Sequence, residues 1–432
     1  MKIKSRWVIY FVFLFIFLIT TPLILLYTAG FRYNIQKGRV QKTGIIIVST
    51  APRKAQIFLN DKFYELKSTP AEIKNILPGD YEIKIQKEGY HSWSKKLPVY
   101  ENTTTFAEKI ILWLNTKPTI INSSEAKLWT LSSDKQKVIF VNNENYIYSL
   151  TLDDGSFKHL GNLNGEAHKI IVSEGKKFIV EYTNNGKKYF AIYSSSENEN
   201  SKPLTLSDYS LIKWPTNTDS YLLGLSEKSI WKIDPISGAK QAISNDTVDD
   251  FFISGSDFYY LKDKQVFKKQ ESQTNTKSIG QVENNNYNFL KEQGNNIILS
   301  NGSAIAIIDK NGNKKTVEIN AKKIDWINSE LFLYYSDFEI SLYNINKAES
   351  KIITRLSQPI KKALWHPLGR HIIFAYGNKI DIIEIDDREL RNVTTLGSDI
   401  EADFLETTRN GKDIYFSGTW EGQKAIYKMN LR

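Results

Sequence analysis

Short apolar triplets recur through the larger, C-terminal part of this chain: "VIF" at 138–140, "FIV" at 178–180, "YLL" at 221–223, "FYY" at 258–260, "IIL" at 297–299, "LFL" at 331–333, "IIF" at 372–374 and "IYF" at 414–416, spaced by 34–43 residues. A period of this length constrains the fold more than any other feature, because one unit cannot bury its own apolar faces and must stack on its neighbours. Each triplet follows an apolar stretch that often carries tryptophan ("AKLWTLSSD", "SLIKWPTNTD", "KKIDWINSE", "KKALWHPLG"). Each precedes a stretch that ends in turn residues ("YIYSLTLDDG", "SIWKIDPISG", "KIDIIEIDDRE"). Four short strands per unit of about 40 residues predict a β-propeller, with eight blades favoured and seven the alternative.

The last unit begins at Ala402 and runs out after its third strand, "AIYKMNL", while "TKPTIINSS" (116–124) stands before the first unit with no blade of its own. The expectation is therefore a propeller over 114–432 in which 116–124 supplies the missing outer strand and removes an open edge. The units resemble the WD40-like repeats of TolB-type periplasmic propellers, a likeness at the level of fold.

From Gly44 to Trp113 the pattern changes to period two. In "DYEIKIQK", Tyr81, Ile83 and Ile85 share one face and Glu82, Lys84 and Gln86 the other, as in a half-buried strand. Leu77-Pro78-Gly79-Asp80 has the composition of a type II turn with positive φ at the glycine, and predicts a hairpin entering that strand. Further strands are expected at Ile45–Ser49, Ala55–Asn60 and Thr104–Leu112, with Trp93, Leu97 and Val99 on one face of another. Together they predict a small antiparallel sandwich over 44–113. Ser49 and Pro52 before a strand, Ala55 opening it, Thr69-Pro70, Pro78-Gly79, Tyr81 and Gly89-Tyr90 followed by Trp93 resemble the PEGA domain, a β-sandwich common in envelope and surface-associated proteins. The tetrapeptide that names the family reads Pro52-Arg53-Lys54-Ala55 here. If that turn needs positive φ, Lys54 carries the strain that glycine avoids. The resemblance implies no catalytic residue.

Trp7 to Thr28 is a run of 22 residues without a charge. As a helix it reaches about 33 Å, enough to cross the hydrocarbon core. A soluble core helix would show a polar face, and a cleaved signal peptide has a shorter apolar region ending in small residues. An uncleaved anchor in membrane lipid is favoured, flanked by a short cytoplasmic tail (1–6) and a basic juxtamembrane linker (29–43). Lys2, Lys4 and Arg6 precede the span, and Arg32, Lys37, Arg39 and Lys42 follow it. Charge therefore does not decide the orientation. An N-terminus in the cytoplasm is expected from what the later domains resemble.

Those seven cations also account for most of the formal charge of +9, since from Gly44 on 50 Lys+Arg face 48 Asp+Glu. A folded part so nearly neutral has no stripe with which to neutralise phosphates, and nucleic acid is not expected as a partner. Cysteine is absent, which excludes disulfides, thiolate metal sites and cysteine nucleophiles.

No hydrolase elbow, P-loop, paired-histidine zinc helix or dinucleotide glycine run occurs, and no cofactor is expected. His366 and His371 flank "PLGR" and read as surface turn residues rather than metal ligands. "DKNGN" (309–313) lacks the glutamate of a calcium loop and reads as a turn between strands. Trp129, Trp214, Trp326 and Trp365 stand at similar places in their units, where they either pack between blades or form a ligand-binding aromatic rim for sugar or peptide. The expected protein is a non-catalytic recognition or scaffolding module of the cell envelope, with an envelope protein or glycan as partner. The rival reading is an envelope hydrolase with carboxylates gathered at the propeller mouth.

Overall fold

The computed structural model describes residues 3–35, 37–195, 203–216, 218–227, 229–244, 248–270, 276–284, 286–313 and 316–432. Met1 and Lys2 of the expected tail lie outside them. The chain divides into two compact units, one of residues 1–115 with 383–394 and Arg432, the other of residues 116–382 and 395–431.

The first unit opens with helix α1 (Ile3–Thr28), which contains the uncharged span Trp7–Thr28. None of the span is buried against the described chain, so its apolar side chains are exposed on every side. A core helix of a soluble fold would hide a stripe of them. Within residues 29–43, β1 (Phe31–Asn34) pairs antiparallel with β2 (Arg39–Lys42), and Asn34 donates to the Gln41 side chain across the hairpin at 2.9 Å.

The sandwich consists of β3 (Gly44–Ala51), β4 (Gln56–Leu59), β5 (Lys62–Ser68), β6 (Ala71–Ile76), β7 (Gly79–Gln86), β8 (Trp93–Val99) and β9 (Thr104–Ile111). One sheet has the order β6-β3-β9 and the other β5-β4-β7-β8. The period-two reading places the core well: Ile46, Val48, Ile57, Ile83, Ile85, Trp93, Leu97 and Val99 all point inward and are buried. Two expectations fail. The sandwich is not wholly antiparallel, because β9 crosses from the other sheet and joins β3 in the same direction, Ile45 opposite Thr104. Pro78-Gly79 is not a hairpin turn either, since β6 pairs with β3 while β7 pairs with β4 and β8. The residue with positive φ is Asn75 (63°), in a bulge of β6, and Gly79 begins β7. Lys54 does hold the left-handed conformation, at φ 62°.

The second unit is a β-propeller, to one sheet of which residues 383–384 and 393–394 add the ends of two strands. Among the described residues it contains eight four-stranded sheets, here called blades 1 to 8, whose first strands are Ala126–Leu131, Glu166–Val172, Leu211–Lys213, Asp250–Ser254, Asn288–Gln293, Lys323–Trp326, Ile360–Trp365 and Ile400–Thr407. Each first strand is the edge of its sheet, and those of blades 1 and 2, 4 and 5, 6 and 7, 7 and 8, and 8 and 1 approach one another. The apolar triplets fall in or at the second strands, which are buried on both faces, as in Val138–Val141 and His371–Ala375. In blade 8 the outer strand is Thr119–Asn122, paired antiparallel with Gln423–Asn430, Thr119 opposite Lys428. The Tyr415 hydroxyl donates to the Leu152 carbonyl at 2.9 Å and the Ala126 amide to Ser417 Oγ at 2.9 Å, so blade 8 is tied to blade 1 by buried hydrogen bonds as well as by packing.

His366 and His371 are not surface residues. Both are buried, with ring centroids 6.4 Å apart. His366 Nε2 donates to the Gly411 carbonyl at 3.0 Å, which leaves Nδ1 to accept the Leu368 amide at 3.2 Å. Gly411 has φ +66°, and a Cβ there would stand 2.5 Å from His366 Cε1, so glycine is required on both counts. Asp309 in "DKNGN" accepts the amides of Asn311 and Asn313 and organises a turn after its strand.

Candidate functional site

Two cavities of the propeller are built from the C-terminal ends of the first strands and the turns that follow them. The first, of about 530 Å³, is lined from blades 6, 7 and 8 by Asp325, Trp326, Lys362, Trp365 and Glu406, with Lys135 reaching it from blade 1. The second, of about 570 Å³, is lined from blades 2, 3 and 5 by Lys169, Glu174, Lys213, Trp214, Lys291 and Glu292. Both volumes lie in the range of small-ligand pockets. Both cavities are walled by first strands and the residues that follow them, and together they are here called the propeller mouth.

The four tryptophans divide. Trp129 stacks between Phe140 of its own blade and Phe404 of blade 8, with centroids 6.1 and 6.2 Å away. Trp214 is 8% exposed and donates Nε1 to the Ile171 carbonyl of blade 2 at 3.2 Å. These two rings join neighbouring blades, although Trp214 also touches the second cavity. Trp326 and Trp365 come from adjacent blades and line the first cavity together. The Trp326 ring also packs on Phe332, and its Nε1–H is buried with no acceptor among the described residues.

The charges at the mouth are mostly lysines. Lys213 is paired with the buried Asp250 at 2.6 Å and also donates to the Phe289 carbonyl at 3.2 Å; burial pulls its pKa below the ordinary value. Lys362 pairs with Glu406 at 3.0 Å, and although burial pulls its pKa down, Glu406 and its neighbours outweigh that and leave it raised. Glu292 is held by Lys310. Lys291 and Lys323 are different: among the described residues no carboxylate lies within ion-pair distance of either. Burial pulls the Lys291 ammonium down to about 8 against the opposing charge of Asp325, with Lys135 adding to the pull. Lys323 is also lowered, by burial first and by the like charge of Lys362 second. Its side chain is exposed to water yet flanked by protein, the setting of a cation in an aqueous channel.

Of the two carboxylates in the first cavity, Glu406 is taken by Lys362, and Asp325 accepts the Trp365 amide at 3.0 Å. A hydrolytic pair needs one carboxyl kept protonated beside the scissile bond. Here Glu406 is instead engaged by the Lys362 ammonium at 3.0 Å.

The lysines were not singled out in the sequence, where each unit contributes one or two among many. The signal was present: Lys213, Lys323 and Lys362 each stand one to three residues before the tryptophan of their unit.

An all-β chain with a small sandwich and an eight-bladed propeller is the class that these sheets define. Residues 43–110 match the family model described as PEGA domain. Among solved structures, the chain is similar to Sqt1 of Saccharomyces cerevisiae, at 10% identity and a TM-score of 0.50 over 74% of this chain and 99% of that one. It is also similar to a chain in the crystal structure of the mitotic checkpoint complex, at 13% identity and a TM-score of 0.40 over 74% of this chain and 96% of that one. No curated protein matches the chain. The likeness to Sqt1 is one of fold.

Proposed function

We propose that Trp7–Thr28 anchors this chain in a membrane with its N-terminus in the cytoplasm. The sandwich (44–113) and the propeller (114–432, closed by 116–124) then stand outside, where the propeller mouth recognises an envelope component without catalysing a reaction on it. The anchor is supported by a span that is apolar on all sides and is not buried against the described chain. The match of 43–110 to a domain common in envelope proteins supports the side of the membrane. The observation that carries recognition is the convergence of Trp326 and Trp365 from adjacent blades on one cavity of about 530 Å³. Indole rings held by a rigid sheet lose little entropy on contact and supply much of the binding energy where they are buried.

The test is photo-crosslinking from the mouth of the full chain in its native membrane, with a photoreactive residue in place of the exposed Arg409, which lines the same cavity. A discrete crosslinked species that disappears in Trp326→Ala and Trp365→Ala, with the melting curve of Trp365→Ala unchanged, supports the reading. Crosslinking indifferent to both substitutions refutes it.

A further inference from the structure

Resting on that reading, we infer that the mouth takes an acidic peptide segment, with carboxylates seated on Lys291 and Lys323 and apolar side chains on the indoles of Trp326 and Trp365. Three observations carry this. First, the cations at the mouth outnumber the carboxylates available to them. Glu406 is used by Lys362 and Glu292 by Lys310, leaving Asp325 and Glu174 to face Lys135, Lys169, Lys291, Lys323 and Arg409. The folded part of the chain is otherwise almost neutral, so this excess is local.

Second, the excess is held where charge is costly. Lys291 lies on the Trp326 ring, and Lys323 stands on the first strand of blade 6 as Lys362 does on that of blade 7; neither Lys291 nor Lys323 has a carboxylate within ion-pair distance among the described residues. Cations flanked by protein and by like charge are stabilised by an anion that approaches them. Third, the two cavities are neighbours. Lys291 lines the second cavity, while the Trp326 ring on which it lies lines the first, and Lys291 feels the charges of Asp325 in one and Glu174 in the other. Two neighbouring chambers that each carry lysines among apolar wall residues suit an extended segment that alternates acidic and apolar side chains.

The probe is a fluorescein-labelled decapeptide of alternating Glu and Leu, titrated by anisotropy into the full chain in detergent micelles, beside the Lys-Leu counterpart and a labelled oligogalacturonate. The expected result is saturable binding of the acidic peptide, weakened by salt, and at least about tenfold tighter than that of the basic one. Lys291→Gln and Lys323→Gln each weaken it about tenfold, the scale of one hydrogen bond to a charged partner. Lys187→Gln, on a hairpin away from the mouth, changes nothing. Equal binding of the two peptides, or no response to either mouth lysine, overturns the inference. So does tighter binding of oligogalacturonate through the same lysines, which assigns the mouth to an acidic glycan. If the lysine variants leave binding intact while Trp326→Ala abolishes crosslinking in the membrane, the recognition reading stands and only the acidic-peptide inference fails.

Discussion

Lys291 Nζ stands 5.3 Å from the centroid of the Trp326 ring, an ammonium of blade 5 placed on the indole of blade 6. Burial opposes its charge, and its pKa of about 8 states how strongly. Between about 8 and 10.5 the unfolded chain binds a proton at this residue that the folded chain does not, so wild-type stability rises with pH through that window, and the full cost of the charge is present below it. Lys291→Met therefore stabilises the propeller at pH 7 by about 1–2 kcal/mol, after allowance for partial exposure, with the gain fading as pH approaches 10.5. Denaturant midpoints at pH 7 and 10 check this. The same variant loses acidic-ligand binding, and in the wild type that binding declines as pH rises past 8, where Asp325, Glu174 and Lys135 are the charged groups facing the amine. Greater stability with less function marks a residue kept for its site.

Acid should weaken the fold through His371. Burial, with the like charges of His366 and Arg370 behind it, pushes its pKa from 6.5 down to about 3. Below pH 6.5 the unfolded chain takes up a proton that the folded chain refuses, so stability falls as pH falls until about pH 3. From pH 6.5 to 5 the loss from this residue is about 2 kcal/mol. Unfolding free energies measured across that range should show a slope that shrinks by one proton in His371→Leu.

How much of this was legible follows from what each signal measures. The second strands of the blades were visible because both of their faces are buried, so every residue of a triplet is apolar whatever its partner. Pro78-Gly79 was misread because turn chemistry is local, whereas whether the flanking strands pair with each other is decided by the rest of the sandwich; here the chain passes from one sheet to the other. His366 and His371 flank a turn, and nothing along the chain shows that the Gly411 carbonyl of the next blade meets the His366 ring. The mouth was hidden for the same reason. Its lysines come from separate repeats, and only the propeller sums them.

Closure of the ring rests on a four-residue strand. Ile121 packs into the core cluster that holds Tyr415 and Ile426, while its neighbour Ile120 is largely exposed. Ile121→Asp should cost about 2–4 kcal/mol by placing a charge in that cluster, and Ile120→Asp less than about 0.5. Equal melting of the two variants would show that the strand contributes nothing to blade 8.

Lys54 offers a gain. Its φ of 62° carries a penalty that glycine lacks, offset in part by the extra freedom glycine has when unfolded. Lys54→Gly should stabilise the sandwich by about 0.5–1 kcal/mol, read as a shift of its denaturant midpoint at constant slope.

The chain has no cysteine, so Arg409→Cys creates a single thiol at the rim of the first cavity. Labelling it in intact cells with a membrane-impermeant maleimide asks whether the propeller mouth is a recognition site outside the cytoplasm. Labelling is expected without permeabilisation, slowed by the Glu-Leu decapeptide and unaffected by its Lys-Leu counterpart. Labelling that appears only after the membrane is opened would contradict it.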